Sequence, residues 1–191
     1  MKKIFKYIFA GMAAMSVVAC SEDALETSPS SSVSGNELLG TATNALVSLN
    51  GVYRAMYTAG VSNSSNTHQC FGITAYNLVA DVMGEDCIMN GQGSGWFWYD
   101  CVYNVKSRYT STGWRSYDMW NGYYTWISNV NYILAEEETM SGSETEKNYV
   151  LGQAYAVRAY SYFMLAQMFS RTYKRHESEP CVPLYTCLLY T

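Results

Sequence analysis

Three groups of side chains in this sequence have the types and spacing to do chemistry. Asp81, Glu85 and Asp86 could act as general acid and base, since hydrolysis of a glycosidic bond needs two carboxyl groups flanking it. Asp81 and Glu85, however, stand four apart at the end of a helical pattern, a spacing that a solvated or capping face produces equally well, and no nucleophile accompanies them. No catalytic residue is assigned. The second group is aromatic and polar: Trp96, Trp98, Tyr99, Asp100 and Asn104 follow the glycines Gly91, Gly93 and Gly95. Flat indole and phenol faces with polar tips suit a wet, amphipathic ligand such as a sugar ring. In an extended segment Trp96 and Trp98 project to one side, with Asp100 and Asn104 supplying polar contacts. These five are the candidate ligand-binding residues.

The third is Cys20. Lys2, Lys3 and Lys6 precede an uncharged, mostly apolar run from Tyr7 to Ala19, which reads as a signal peptide over residues 1–19. The run is well short of the roughly 20 residues that a bilayer-spanning helix needs. It ends Val17-Val18-Ala19-Cys20, which resembles the bacterial lipobox. Acylation at Cys20 would anchor the protein, because two or more buried acyl chains suffice for stable attachment. Ser21-Glu22-Asp23 resembles a lipoprotein surface-export signal, which implies the outer face of an outer membrane. Residues 20–35, rich in Ser and acidic side chains, make a flexible tether that cannot bury enough apolar surface to fold alone.

Charge and ligand counts exclude other chemistries. Cleavage removes three of twelve basic residues and leaves nine against sixteen acidic ones, a net charge of −7. Nucleic acid is therefore not an expected partner, and the one basic cluster, Arg171, Lys174 and Arg175, sits where cations complement a helix dipole. Beyond Cys20 and Cys187, the cysteines Cys70, Cys87, Cys101 and Cys181 allow three disulfide pairings, with buried free thiols the alternative. No CxxC pair occurs and His68 and His176 lie far apart, so no metal and no cofactor are assigned. Cys187-Leu188-Leu189-Tyr190-Thr191 is what TGT CTC TTA TAC ACA encodes, the end of a transposon used to prepare sequencing libraries. Residues 187–191 are read as such a scar, with a longer protein expected beyond Thr186.

The elements that position these residues read as helices. Ser34 and Glu37 have capping-box spacing and introduce a first helix from Asn36 to about Ala59, ended by Gly60. Cys70–Met83 is a second, followed by a long irregular stretch to about Thr112, and such stretches in compact domains are usually functional. Trp114–Glu138 carries Tyr117, Trp120, Tyr123, Tyr124, Ile127, Val130, Ile133 and Leu134 at helical intervals. Ser143 and Glu146 open a fourth helix to about Ser170, where Val150, Leu151, Ala154, Tyr155, Arg158, Tyr162, Leu165 and Phe169 share a side. Gly152, Ala156, Ala159 and Ala166 allow close approach. The last two helices, joined by a short Ser/Gly turn, make an antiparallel hairpin, the unit of tetratricopeptide-type arrays. Leu151-Gly152-x-x-Tyr155 echoes the opening of that repeat. The predicted fold is all-α, a tetratricopeptide-like array of helix hairpins that is incomplete at its C-terminus. Arg158, set among apolar neighbours, is expected to form a structural ion pair with Asp81.

Five segments, in order, resemble the N-terminal region of the SusD/RagB family. They are the lipobox with its acidic tail, Ala45–Tyr57, Ala80-Asp81-Val82-Met83-Gly84-Glu85-Asp86, Trp120–Leu134, and Gly152–Phe169 with Arg158-Ala159-x-x-Tyr162-Phe163. Val182-Pro183-Leu184 matches a further short element, so residues 36–186 read as the N-terminal helical domain. The resemblance implies a non-enzymatic lipoprotein on the outer membrane, facing the exterior. It would bind oligosaccharides, or peptides, and deliver them to a TonB-dependent (SusC-like) transporter. A surface glycoside hydrolase and a helical-repeat adaptor for proteins are the alternatives.

Overall fold

The two longest helical patterns in the sequence become the two longest helices. In the computed structural model the order is α1 (Ala42–Ala55), α2 (Ile73–Met83), the single-turn α3 (Trp98–Cys101), α4 (Trp114–Ala135) and α5 (Glu144–Phe169). The described residues are 38–60, 64–103, 110 and 113–187, all within one unit of residues 36–191, and among them no strand occurs. The signal peptide, Cys20, the tether, the Ser34–Glu37 box, Asn104 and Leu188–Thr191 lie outside the described residues.

α4 and α5 form the predicted hairpin, and α1 packs against both. At the start of α5 the Ser143 hydroxyl accepts from the Glu146 N–H at 3.3 Å, and the Ser143 N–H donates to Glu146 Oε2 at 3.0 Å, a complete capping box. The Ser143 hydroxyl, donating to Glu146 Oε2 at 2.7 Å, and then the Ser143 N–H lower the Glu146 carboxyl from its ordinary value. α1 begins later than the apolar pattern suggests. Gly40 and Thr41 leave the helical path to pair with the α4–α5 turn: Ala42 N–H donates to the Ser141 carbonyl at 2.8 Å and Ser141 N–H to the Gly40 carbonyl at 2.9 Å. Thr41 is then the N-cap, its hydroxyl accepting from Asn44 N–H at 3.1 Å. α2 also starts late, at Ile73, because Gly72 takes a left-handed φ of 69°.

The core is where the four longer helices meet. Ala45, Leu49 and Val52 of α1, Ala75, Tyr76 and Val79 of α2, and Tyr123, Trp126, Ile127 and Val130 of α4 close on Val150, Ala154 and Leu165 of α5. Each large side chain buried here contributes about 1.5–3 kcal/mol. Tyr76 and Trp126 both pack on Tyr123, with ring centroids 5.3 and 5.0 Å away. The opposite face of α5 is open: Gly152, Ala156 and Ala159 are exposed and Phe163 keeps 60% of its surface in solvent.

Arg158 does not pair with Asp81. Asp81 is exposed on α2, whereas Arg158 Nη1 donates to Asn131 Oδ1 at 3.0 Å and the guanidinium lies 5.0 Å from the Tyr155 ring. Asn131 Nδ2 in turn donates to the Tyr185 carbonyl at 2.9 Å, while the Tyr124 and Tyr162 hydroxyls donate to the Pro183 and Tyr185 carbonyls at 2.8 and 2.9 Å. Arg158 therefore orients an amide that straps the Pro183–Tyr185 segment onto the hairpin. A neutral partner on the facing helix outcompetes a solvated carboxylate because it needs no desolvation of a second charge.

One glycine of α4 lies directly against a side chain from α2. Tyr76 reaches from α2 to donate its hydroxyl to the Asp118 carbonyl at 2.9 Å, and a Cβ on Gly122 would run into that hydroxyl. In an open helix Gly→Ala gains about 1 kcal/mol. Here overpacking at about 1–3 kcal/mol should outweigh it, so Gly122→Ala is expected to destabilise. Tyr76→Phe in the same chain should recover most of the loss. Urea titration of both singles and the double checks this, and additive effects would contradict the contact.

Candidate functional site

The glycine-rich stretch is fixed by a buried charged knot. Arg115, on the first turn of α4, is completely buried and its Nη2 meets Asp100 Oδ2 of α3 at 2.9 Å, with Asp100 equally buried. The same Nη2 donates to Gln69 Oε1 at 3.1 Å, and Nη1 donates to the Gln69 carbonyl at 3.1 Å. Gln69 Oε1 also accepts from Phe97 N–H at 3.2 Å. The guanidinium stacks between two aromatic side chains, 4.3 Å from the Trp114 ring and 5.1 Å from that of Phe97. Three stretches far apart in sequence thus share one cation.

The knot decides where the predicted ligand residues go. Phe97 is buried and takes a left-handed φ of 58°, a conformation of order 1–3 kcal/mol uphill that the packing around it holds in place. The chain then enters α3. A left-handed residue followed by a helical turn breaks the two-residue alternation of an extended segment, so Trp96 and Trp98 do not project to one side. Trp96 stays 49% exposed, its ring stacked on His68 with centroids 4.7 Å apart and planes 27° from parallel. Trp98 and Tyr99 are half-buried in α3. Asp100 is unavailable to a ligand because Arg115 holds it in the interior. Of the four candidates among the described residues, Trp96 is the one the structure leaves exposed. Asp81, Glu85 and Asp86 are exposed, and among the described residues no three His, Cys, Asp or Glu side chains come together as a metal-binding group.

His68, Gln69 and Arg115 are the partners that sequence reading missed. The available signal was Arg115 itself, which falls on the same helical face as Met119, Gly122 and Trp126. The cysteines among the described residues are free thiols. Cys70 lies beside the knot, where burial first and the neighbouring Asp118 second push its thiol up to about 12, so it stays protonated and inert.

Two concavities lie elsewhere. An apolar groove of about 290 Å³ between α2, the start of α4 and the end of α5 is lined by Tyr76, Val79, Met83, Met119, Met168 and Phe169. A broader cleft of about 840 Å³ beyond the end of α5 is lined by Phe163, Phe169, Tyr173, His176 and Cys181 among others. Neither includes Trp96. No described helix is long and apolar enough to cross a membrane.

Residues 25–186 match the profile of a SusD-like family described as starch-binding and associating with the outer membrane. The fold matches the crystal structure of a SusD-like carbohydrate-binding protein from Bacteroides vulgatus ATCC 8482, with a TM-score of 0.65 and 24% identity. The match covers 78% of this chain and 29% of that one, so the chain spans under a third of that protein's length. Among curated proteins none matches.

Proposed function

Because the chain belongs to the SusD-like family, we propose that it is a surface lipoprotein that binds oligosaccharides without chemically altering them and passes them to a TonB-dependent transporter. The observation that carries the reading is Trp96: an indole half in solvent, on a backbone pinned from beneath by Arg115, Gln69 and Asp100. Exposing an indole costs apolar hydration, and a pinned backbone spends little entropy on meeting a ligand. The C–H face of a pyranose stacks on such a ring while its hydroxyls keep their water. The family's description as starch-binding makes an α-glucan the first ligand to try.

The experiment is calorimetric titration of wild type and Trp96→Ala against maltoheptaose and a panel of other oligosaccharides, with thermal melts in parallel. One stacked ring is worth roughly 1–3 kcal/mol by analogy with base stacking, so affinity should fall about fivefold to 150-fold while the melting temperature holds. Binding unaltered in the mutant, or a melting temperature that collapses with it, makes Trp96 structural.

Anchoring through Cys20 belongs to the same proposal, since delivery to an outer-membrane transporter needs the binder held at that surface. The lipobox-like Val17-Val18-Ala19-Cys20 motivates it. Cys20→Ala should abolish labelling by an acyl-chain analogue and release the protein from membranes. Labelling that persists in the mutant would remove the anchor from the account.

A further inference from the structure

We propose that His68 is the positioning residue of the Trp96 platform: its imidazole covers one face of the indole and fixes it, so that ligand meets only the opposite face. This rests on the reading of Trp96 as a glycan platform. The two rings lie 4.7 Å apart at 27°, although 28 positions separate them in sequence. The buried knot explains why they meet. His68 directly precedes Gln69 and Trp96 directly precedes Phe97, and Phe97 N–H donates to Gln69 Oε1 at 3.2 Å. Gln69 and Phe97 are each only 7% exposed, and Arg115 holds Gln69 by both its side-chain and its backbone oxygen. With the Phe97 backbone bonded to the Gln69 side chain and both held by Arg115, the residue before each places its ring against the other.

The stack has two consequences for recognition. A surface indole with both faces free must be immobilised when a sugar stacks on it; one already held by a second ring has lost that freedom beforehand. Immobilising one rotamer-rich side chain corresponds to about a two- to tenfold change in affinity. With one face occupied by the imidazole, a pyranose ring stacks on the other face alone. The ligand class this fits is a neutral oligosaccharide that presents one unbroken C–H face.

The full chain labelled with 5-fluorotryptophan tests the proposal without any ligand. Five tryptophans give five fluorine signals, and Trp96 is the one lost in Trp96→Phe. His68→Ala should shift that signal and raise its sensitivity to H2O/D2O exchange, while His68→Phe, which keeps a stacking ring, should leave both near wild type. With maltoheptaose, His68→Ala should lose two- to tenfold in affinity and His68→Phe should bind nearly as wild type. A Trp96 signal indifferent to His68→Ala overturns the proposal. So does equal loss of affinity in both variants, which would make the imidazole a direct ligand contact instead. If the wild type binds no maltoheptaose, the α-glucan reading fails, and the fluorine signal still decides whether His68 holds Trp96.

Discussion

Arg115→Met should cost about 3–5 kcal/mol of stability, because it removes the cation from a buried ion pair and leaves Asp100 charged in the interior. The variant also strips the guanidinium from both oxygens of Gln69, acceptors that sit too deep to find water freely. Arg115→Lys should fall between, since an ammonium cannot reproduce the planar fork that reaches Asp100 and Gln69 together and stacks on Trp114. Pairing Arg115→Met with Asp100→Leu should recover much of the loss, as removing both charges abolishes the desolvation that removing one exposes. Urea denaturation followed by far-UV circular dichroism measures all three. A loss under about 1 kcal/mol in Arg115→Met would mean that the knot does not hold the segment.

Gly72→Ala should be about as damaging, for a reason confined to the backbone. Gly72 joins the turn after α1 to α2 at φ 69° and ψ −144°, a conformation that L side chains avoid. A Cβ there would run into the Met56 carbonyl oxygen, which already accepts from Ile73 N–H at 2.8 Å. Neither group is the end of a flexible side chain, so the α1–α2 junction itself must shift. Strain of order 1–3 kcal/mol plus a broken turn places the expected loss at about 3 kcal/mol or more. Gly51→Ala is the control: it lies on the exposed side of α1 with nothing within 4 Å, and should stabilise by up to about 1 kcal/mol. Equal effects at the two positions would contradict this account of the junction.

The α4–α5 hairpin was legible because its apolar period is long and its capping box is local, so the information lies within a few residues of where it acts. The buried face at the start of α4 was not. Counting apolar residues there selects Tyr117 and Trp120, which the structure leaves 56% and 37% exposed. The buried face at that end is Arg115, Asp118, Met119 and Gly122; Arg115 pairs with Asp100 and Gln69 and the Asp118 carbonyl accepts from Tyr76, so only Met119 marks it as apolar. Periodicity finds a core made of hydrocarbon and is blind to one made of paired charge. The candidate site failed in part for the same reason. The glycine-rich segment stands out in the sequence, but the roles of Trp98 and Asp100 depended on an extended backbone, and the left-handed Phe97 that breaks it packs against Arg115 and Gln69 from outside the segment. The mispairing of Arg158 with Asp81 has the same origin, a long-range partner chosen by charge where the fold supplies Asn131.

Titration of the 5-fluorotryptophan-labelled protein with maltoheptaose, and with any other oligosaccharide that binds, tests the central claim most directly, because it asks where a bound sugar sits. The Trp96 signal should move in proportion to occupancy while that of Trp126, sealed in the core at 1% exposure, stays fixed. Saturable binding with the Trp96 signal unmoved, and especially binding lost on Tyr173→Ala in the cleft beyond α5, would contradict the account.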